Sequence, residues 1–265
     1  MKRKRKVPNS INLNNLYVNT GGDEHTSLLT DNSTSSFDGH VSVYFRDVRA
    51  HLIQHISEFR YVFGCVAWLT DLSVMQQLHA CDGVSVVIQK EDFLRPDITT
   101  QSGWTSQLRH AYGQLPSVCR WSLAGDYSSG TSYVPDESAV RCAGVQNAAR
   151  QSAWPRMHNK FLVFCSAKPS HHASCTDLVC YCGADQKVGP WRGEATYGIR
   201  YTPEAVWTGS FNMSVNASLS LENGVFIRDL KIADAYFKEF QQIYGASEPL
   251  DWEHTWVAPE FRIGT

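Results

Sequence analysis

Met157-His158-Asn159-Lys160-Phe161-Leu162-Val163-Phe164 is the stretch on which the fold is decided. After a polar start it is apolar, β-branched and aromatic, which predicts a buried strand. Side chains two residues apart leave a strand on the same face, so His158 and Lys160 project together. A lone histidine in such a run reads as a core residue with a satisfied hydrogen bond. The lysine defeats that reading, because a buried ammonium without an anion is expensive. A second stretch, Val206-Trp207-Thr208-Gly209-Ser210-Phe211-Asn212-Met213-Ser214, repeats the spacing. Ser210 and Asn212 lie two apart, after a glycine that leaves room for close approach. Taken alone they suit a turn or a helix cap. A His, a Lys, a Ser and an Asn converging on one point suit a phosphate: the cation and polar donors neutralise its oxygens, and the imidazole attacks or shuttles a proton.

Upstream of these stretches the pattern is strand, helix, strand. Tyr61 to Leu69 is a nearly continuous apolar run, the mark of a strand buried on both faces. Thr70-Asp71 caps a helix over Leu72 to His79, and Val84 to Ile88 is the next strand. Short joins make this a parallel crossover unit. Asp47 is the expected N-cap of a helix running to about Glu58. Residues 92–150 predict a helix over Gln101 to Tyr112 and strands at Val118 to Leu123 and Val140 to Val145. Downstream, Gly224 to Ile227 reads as a strand, and residues 231–244 as an amphipathic helix with Ile232, Ala235, Tyr236, Phe240 and Ile243 on one face. The tail from Pro249 carries Trp252 and Trp256 and is expected to pack on the surface or on a partner. The fold class is therefore α/β: a mixed, largely parallel β-sheet flanked by helices on both faces. Residues 1–37 are a polar N-terminal arm, and 38–265 form one domain with inserts at about 92–150 and 166–201.

A hydrophobic fraction of 43% supports a sizeable core, while a net charge of −2 removes any global polycation argument. A phosphate-binding surface must be local. No run of 18 apolar residues provides a transmembrane helix. Basic residues 2–6 are followed by Val7-Pro8-Asn9-Ser10, not by an apolar core, so they read as a nucleic-acid contact, a nuclear address or a solvated run rather than a secretory signal. Eight cysteines without such a signal fit a reducing, cytoplasmic setting. His171, His172, Cys175, Cys180 and Cys182 could hold a structural zinc, the alternative being buried thiols.

His158-Asn159-Lys160 followed by Gly209-Ser210-Phe211-Asn212 resembles the H-x-K and G-S-x-N signature of the phospholipase D superfamily. With Glu222-Asn223 before the next strand, the resemblance is closest to the small bacterial nuclease branch. One position departs: the family's aspartate five residues after the lysine is Cys165 here. The resemblance implies a phosphodiesterase, most simply a nuclease cleaving DNA or RNA without a catalytic metal or other cofactor. His158, Lys160 and Glu222 would be catalytic, with Glu222 orienting the imidazole. Ser210, Asn212 and Lys160 would bind phosphate. The implied mechanism needs two histidines and the motif occurs once, so a homodimer with the site on its two-fold axis is expected. A lipid phosphodiesterase and a decayed nucleic-acid-binding module are the alternatives.

Overall fold

Alternation of apolar side chains builds the centre of the molecule. The structure, a computed structural model, describes residues 12–15, 17–19, 25–27, 29–95, 103–118, 138–149, 151, 154–170 and 198–258. Its elements in chain order are β1 (Tyr17–Asn19), β2 (His25–Ser27), β3 (Thr34–Ser35), β4 (Val41–Tyr44), α1 (Val48–Ser57), β5 (Tyr61–Val66), α2 (Leu72–His79), β6 (Gly83–Gln89), α3 (Gly103–Gly113), β7 (Val140–Ala143), β8 (Lys160–Ser170), β9 (Gly198–Gly209), α4 (Val215–Ser218), β10 (Gly224–Ile227) and α5 (Leu230–Gly245). β1 and β2 pair as a small separate ribbon. The other eight strands form one sheet in the order β3-β4-β10-β9-β8-β5-β6-β7.

Along β5, Val62 and Val66 face one apolar layer while Phe63 and Cys65 face the other. β8 divides in the same way, with Leu162 and Phe164 against Phe161, Val163 and Cys165. The first layer is closed by α1, α2 and α3 through Leu52, Ile56, Val74, Leu78 and Leu108. The second is closed by α5 through Phe237, Phe240 and Tyr244. Both faces of the sheet are thus covered at its centre, as the unbroken apolar run of β5 requires. Gly64 allows β5 and β8 to close up: a Cβ there would stand 2.3 Å from the Phe161 carbonyl oxygen.

The sheet is mixed, but parallel pairing is a smaller part of it than the sequence suggested. Among the described strands, β5-β6 and β6-β7 are the parallel pairs. β8 runs antiparallel to β5, and β9, β10, β4 and β3 continue the antiparallel order. The reason is connectivity: α2 is a crossover that returns the chain in the same direction, whereas β8 and β9 are two arms of one long hairpin. Those arms pair from Phe161↔Thr208 out to Ser170↔Gly198, so the proposed insert at 166–201 begins and ends as strand.

Two boundaries differ from the sequence reading in ways that matter for function. β8 begins at Lys160, so His158 lies on the extended lead-in rather than on the strand itself. β9 ends at Gly209, so Ser210 and Asn212 follow the strand. Asp71 caps α2 as expected, accepting from the Ser73 and Val74 N–H groups at 2.9 and 3.4 Å. Asp47 occupies the N-cap position of α1 with φ +50° and makes no side-chain cap. The strand expected from Val118 lies outside the described residues beyond that residue, and Val118 itself is not in a strand.

Much of the described tail is tied down from inside. Lys90, with 0% of its side chain exposed, pairs with Glu248 and also donates to the carbonyls of His254 (3.1 Å) and Trp256 (2.9 Å). Removing one member of such a pair leaves a buried charge without its counter-ion. Glu248→Ala should lower unfolding free energy by about 3–5 kcal/mol in urea denaturation; a loss below about 1 kcal/mol would mean that the pair is not dry.

Candidate active site

Four strand termini meet at one end of the sheet. In the registers, Val66 at the carboxyl end of β5 faces Lys160 at the start of β8. Gly209 at the end of β9 faces Gly224 at the start of β10. Phe161 faces Thr208, which brings the Lys160 and Gly209 ends together. The two sequence stretches are therefore neighbours in space.

The segment carrying His158 is pinned on both sides. The Met157 N–H donates to Gln89 Oε1 at 2.8 Å, and the Asn159 carbonyl accepts from the Ala67 N–H at 2.8 Å. Between these anchors the His158 side chain is exposed. Half-buried Lys160 turns back on it: Nζ lies 3.2 Å from each imidazole nitrogen and donates to the His158 carbonyl at 3.0 Å. The edge of Trp68 meets the same ring, with centroids 5.9 Å apart and planes at 83°. Trp68 Nε1–H is held by Glu91 at 3.1 Å. Trp68, at the carboxyl end of the apolar run where core packing and lining of a cleft are both open from sequence, lies just past the end of β5 and borders the site.

The second stretch is locked to the strand that follows it. Ser210 Oγ donates to the Glu222 carboxylate and accepts from the Asn223 N–H at 3.0 Å. The Ser210 N–H donates to the Asn223 carbonyl at 3.1 Å. A Cβ on Gly209 would lie 2.3 Å from that carbonyl oxygen, so the glycine is what admits the close approach. Glu222 is thus held by Ser210; among the described contacts none ties it to the His158 ring that it was expected to orient. Its charge nevertheless reaches Lys160. Asn212 is half-buried just after the turn, and its Oδ1 has no hydrogen-bond partner among the described residues.

Charge in this cluster is dominated by cations. The His158 pKa lies below its ordinary value, first because the ring is partly desolvated and then because Lys160 and Arg156 repel the imidazolium. Burial also lowers Lys160; Glu222 opposes the effect and Arg156 adds to it. Arg156 is the group that reading the sequence missed. Its guanidinium lies 3.9 Å from the Trp154 ring centroid. The signal was available, because Arg156, His158 and Lys160 alternate along one extended segment. A neutral imidazole framed by two cations and hydroxyl and amide groups can meet an anion and attack it.

Cys165 is buried, and burial raises its pKa well above the ordinary thiol value. It packs with Phe63, Val163 and Tyr201 against the α5 side of the sheet, where a carboxylate would be desolvated. His171, His172, Cys175, Cys180 and Cys182 lie outside the described residues. Among the described residues no three His, Cys, Asp or Glu side chains come together as a metal site. No described helix is long and apolar enough to cross a membrane.

No family model matches the chain. An uncharacterized protein of Acanthamoeba polyphaga mimivirus is 26% identical over 257 residues, covering 92% of this chain and 75% of that protein. Among solved structures, NucT from Helicobacter pylori is similar at 12% identity and a TM-score of 0.45, covering 79% of this chain and 98% of its own. Nuc from Salmonella typhimurium, a phospholipase D family member, is similar at 15% identity and a TM-score of 0.40, covering 78% and 95%. TrmBL2, an archaeal chromatin protein with a novel mode of DNA binding, is similar at 9% identity and a TM-score of 0.35, covering 81% and 55%.

The electrostatics make a direct prediction. In an NMR histidine titration the His158 midpoint should fall below 6.5, and Arg156→Gln should move it upward as one of the repelling cations is removed. A native midpoint at or above 6.5 would contradict the placement of both cations.

Proposed function

We propose that the protein is a phosphodiesterase, a nuclease that cleaves DNA or RNA through a phosphohistidine on His158. The observation that carries this reading is the Lys160 ammonium set against the imidazole nitrogens, with Arg156 on the same segment. That arrangement holds the imidazole unprotonated, as a nucleophile must be, and leaves positive charge where phosphoryl oxygens would sit. The H-x-K and G-S-x-N resemblance supplies the reaction type.

The steps balance with two imidazoles. A His158 ring nitrogen attacks phosphorus, a P–N bond forms, and the P–O bond to the leaving nucleoside oxygen breaks. The partner's His158, protonated because the negative charge of the bound phosphate favours its imidazolium, gives its proton to that oxygen. The now neutral ring then takes a proton from water as the water attacks phosphorus, the P–N bond breaks, and both histidines are restored. Lys160 and Arg156 counter the charge that builds on the equatorial oxygens. Ser210, Asn212 and the Asn223 region hold the phosphate in line, and Glu222 keeps Ser210 oriented and Lys160 charged. These residues supply the charge and proton transfers without calling on a metal.

A homodimer fits the surface around the site. Leu72, Val215 and Leu221 are 47%, 53% and 50% exposed. All three border the segments that build this end: Leu72 follows Asp71, whose N–H bonds the Met213 carbonyl, Val215 opens α4, and Leu221 adjoins Glu222. Their exposure in the single chain is explained if a second copy covers them.

Digestion of labelled oligonucleotides in excess EDTA tests the reaction, with light scattering for the assembly. Cleavage should survive the chelator, the mass should be that of two chains, and His158→Ala should lose roughly 10³-fold or more in turnover. Lys160→Met should lose about 10²–10³-fold. Activity abolished by EDTA, or retained by His158→Ala, would overturn the proposal.

A further inference from the structure

The His158 segment rests on a side chain that does not itself reach the site. Gln89 ends β6 and is 0% exposed, an uncommon setting for an amide. Among the described residues its side-chain hydrogen bonds run to backbone atoms. Oε1 accepts from the Met157 N–H at 2.8 Å, and Nε2 donates to the carbonyls of Lys90 (3.0 Å) and Val145 (2.9 Å). The Val145 carbonyl also accepts from Trp154 Nε1–H at 3.2 Å. The Trp154 ring in turn carries the Arg156 guanidinium. One enclosed amide therefore grips the backbone immediately before His158 and shares an acceptor with the ring beneath Arg156.

A second, independent feature shows that the contact is built in. Gly144 has φ +93°, and a Cβ there would stand 2.5 Å from Gln89 Oε1 and 3.0 Å from the Met157 nitrogen. The chain carries a glycine where any larger residue would press into this hydrogen bond. On the far side of His158 the Asn159 carbonyl is fixed to the N–H of Ala67, the residue after β5. On its flank Trp68 is fixed by Glu91, two residues after Gln89. The polar end of β6 thus supports the histidine from below and from the side.

We infer that Gln89 is a positioning residue: it holds the 154–159 segment so that the His158 imidazole and the Arg156 guanidinium face the same phosphate. The inference rests on the reading of His158 as the nucleophile. Gln89 touches no reacting atom and acts through the backbone of Met157. Misplacing a reacting group by about 1 Å can cost roughly 10²-fold in rate, and a buried amide that loses its partners does not keep its geometry.

The test uses the full chain and two variants. Gln89→Met keeps the length and removes the hydrogen bonds; Gly144→Ala keeps the amide and pushes it aside. Turnover of bis-p-nitrophenyl phosphate gives kcat and KM, and an NMR titration follows His158 without needing activity. The charged and titratable groups facing that ring are Lys160 on β8, Arg156 on its own segment, Glu91 through Trp68, and Glu222 through Lys160. In both variants kcat should fall by about 30–100-fold with KM within about 3-fold. The His158 midpoint should rise as the ring drifts from the two cations. A folded variant whose kcat and His158 midpoint match the parent, even with lowered Tm, would show that Gln89 only stabilises the fold and would overturn the inference. If Gln89→Met does not fold, Gly144→Ala decides by the same two readouts. Full activity in His158→Ala would instead defeat the nuclease reading, and the titration would still report whether Gln89 fixes the ring.

Discussion

Two fixed cations and an imidazole crowd onto one face of a short extended segment, and no carboxylate among the described contacts bonds directly to any of the three. Arg156, His158 and Lys160 repel one another when all are charged. The histidine is the only one of the three that can relieve the repulsion near neutral pH, by giving up its proton. The same crowding leaves a positive surface that an incoming anion would relax. Much of the rest of the molecule keeps this unfavourable group in place: the Met157 and Asn159 anchors, the Trp68 wall and the double-sided core beneath.

How the sheet makes this possible follows from its direction changes. One crossover sets β5 parallel to β6, and one long hairpin sets β8 and β9 beside them. Carboxyl ends of β5 and β9 then share an edge with amino ends of β8 and β10. In an all-parallel sheet, two motifs lying at the start of one strand and the end of another would sit at opposite edges. The antiparallel insertion of β8 is what joins them. Gly64 and Gly209 mark where the joining requires close approach, against Phe161 and Asn223 respectively.

Much of this was legible in the sequence, and the rest was hidden for physical reasons. β5, α2 and β6 were evident from apolar continuity and the Asp71 cap, because both signals are local. The closeness of His158 and Lys160 was legible because their spacing puts them on one face of an extended segment. The start of β8 was misplaced by three residues because extended lead-in and paired strand share one side-chain period. The Ser210–Glu222 bond joins residues twelve apart across a strand end, which no periodicity encodes. Gln89 lies one residue past the strand read from Val84 to Ile88, and nothing local sets it apart. Its role depends on Met157, 68 residues away, and on a glycine whose meaning is steric and therefore visible only in three dimensions. The preponderance of antiparallel pairs was missed because each strand was read alone, while direction is decided by the connections.

The proposed reaction runs through a covalent bond between phosphorus and one imidazole. It is tested most directly by mass spectrometry of the protein quenched at alkaline pH during turnover of an oligonucleotide, conditions under which phosphohistidine survives. The predicted result is a phosphoryl or nucleotidyl adduct on the peptide containing His158, absent when His158→Asn is treated identically. Steady turnover with no adduct on that peptide, or an adduct on another side chain, would contradict it.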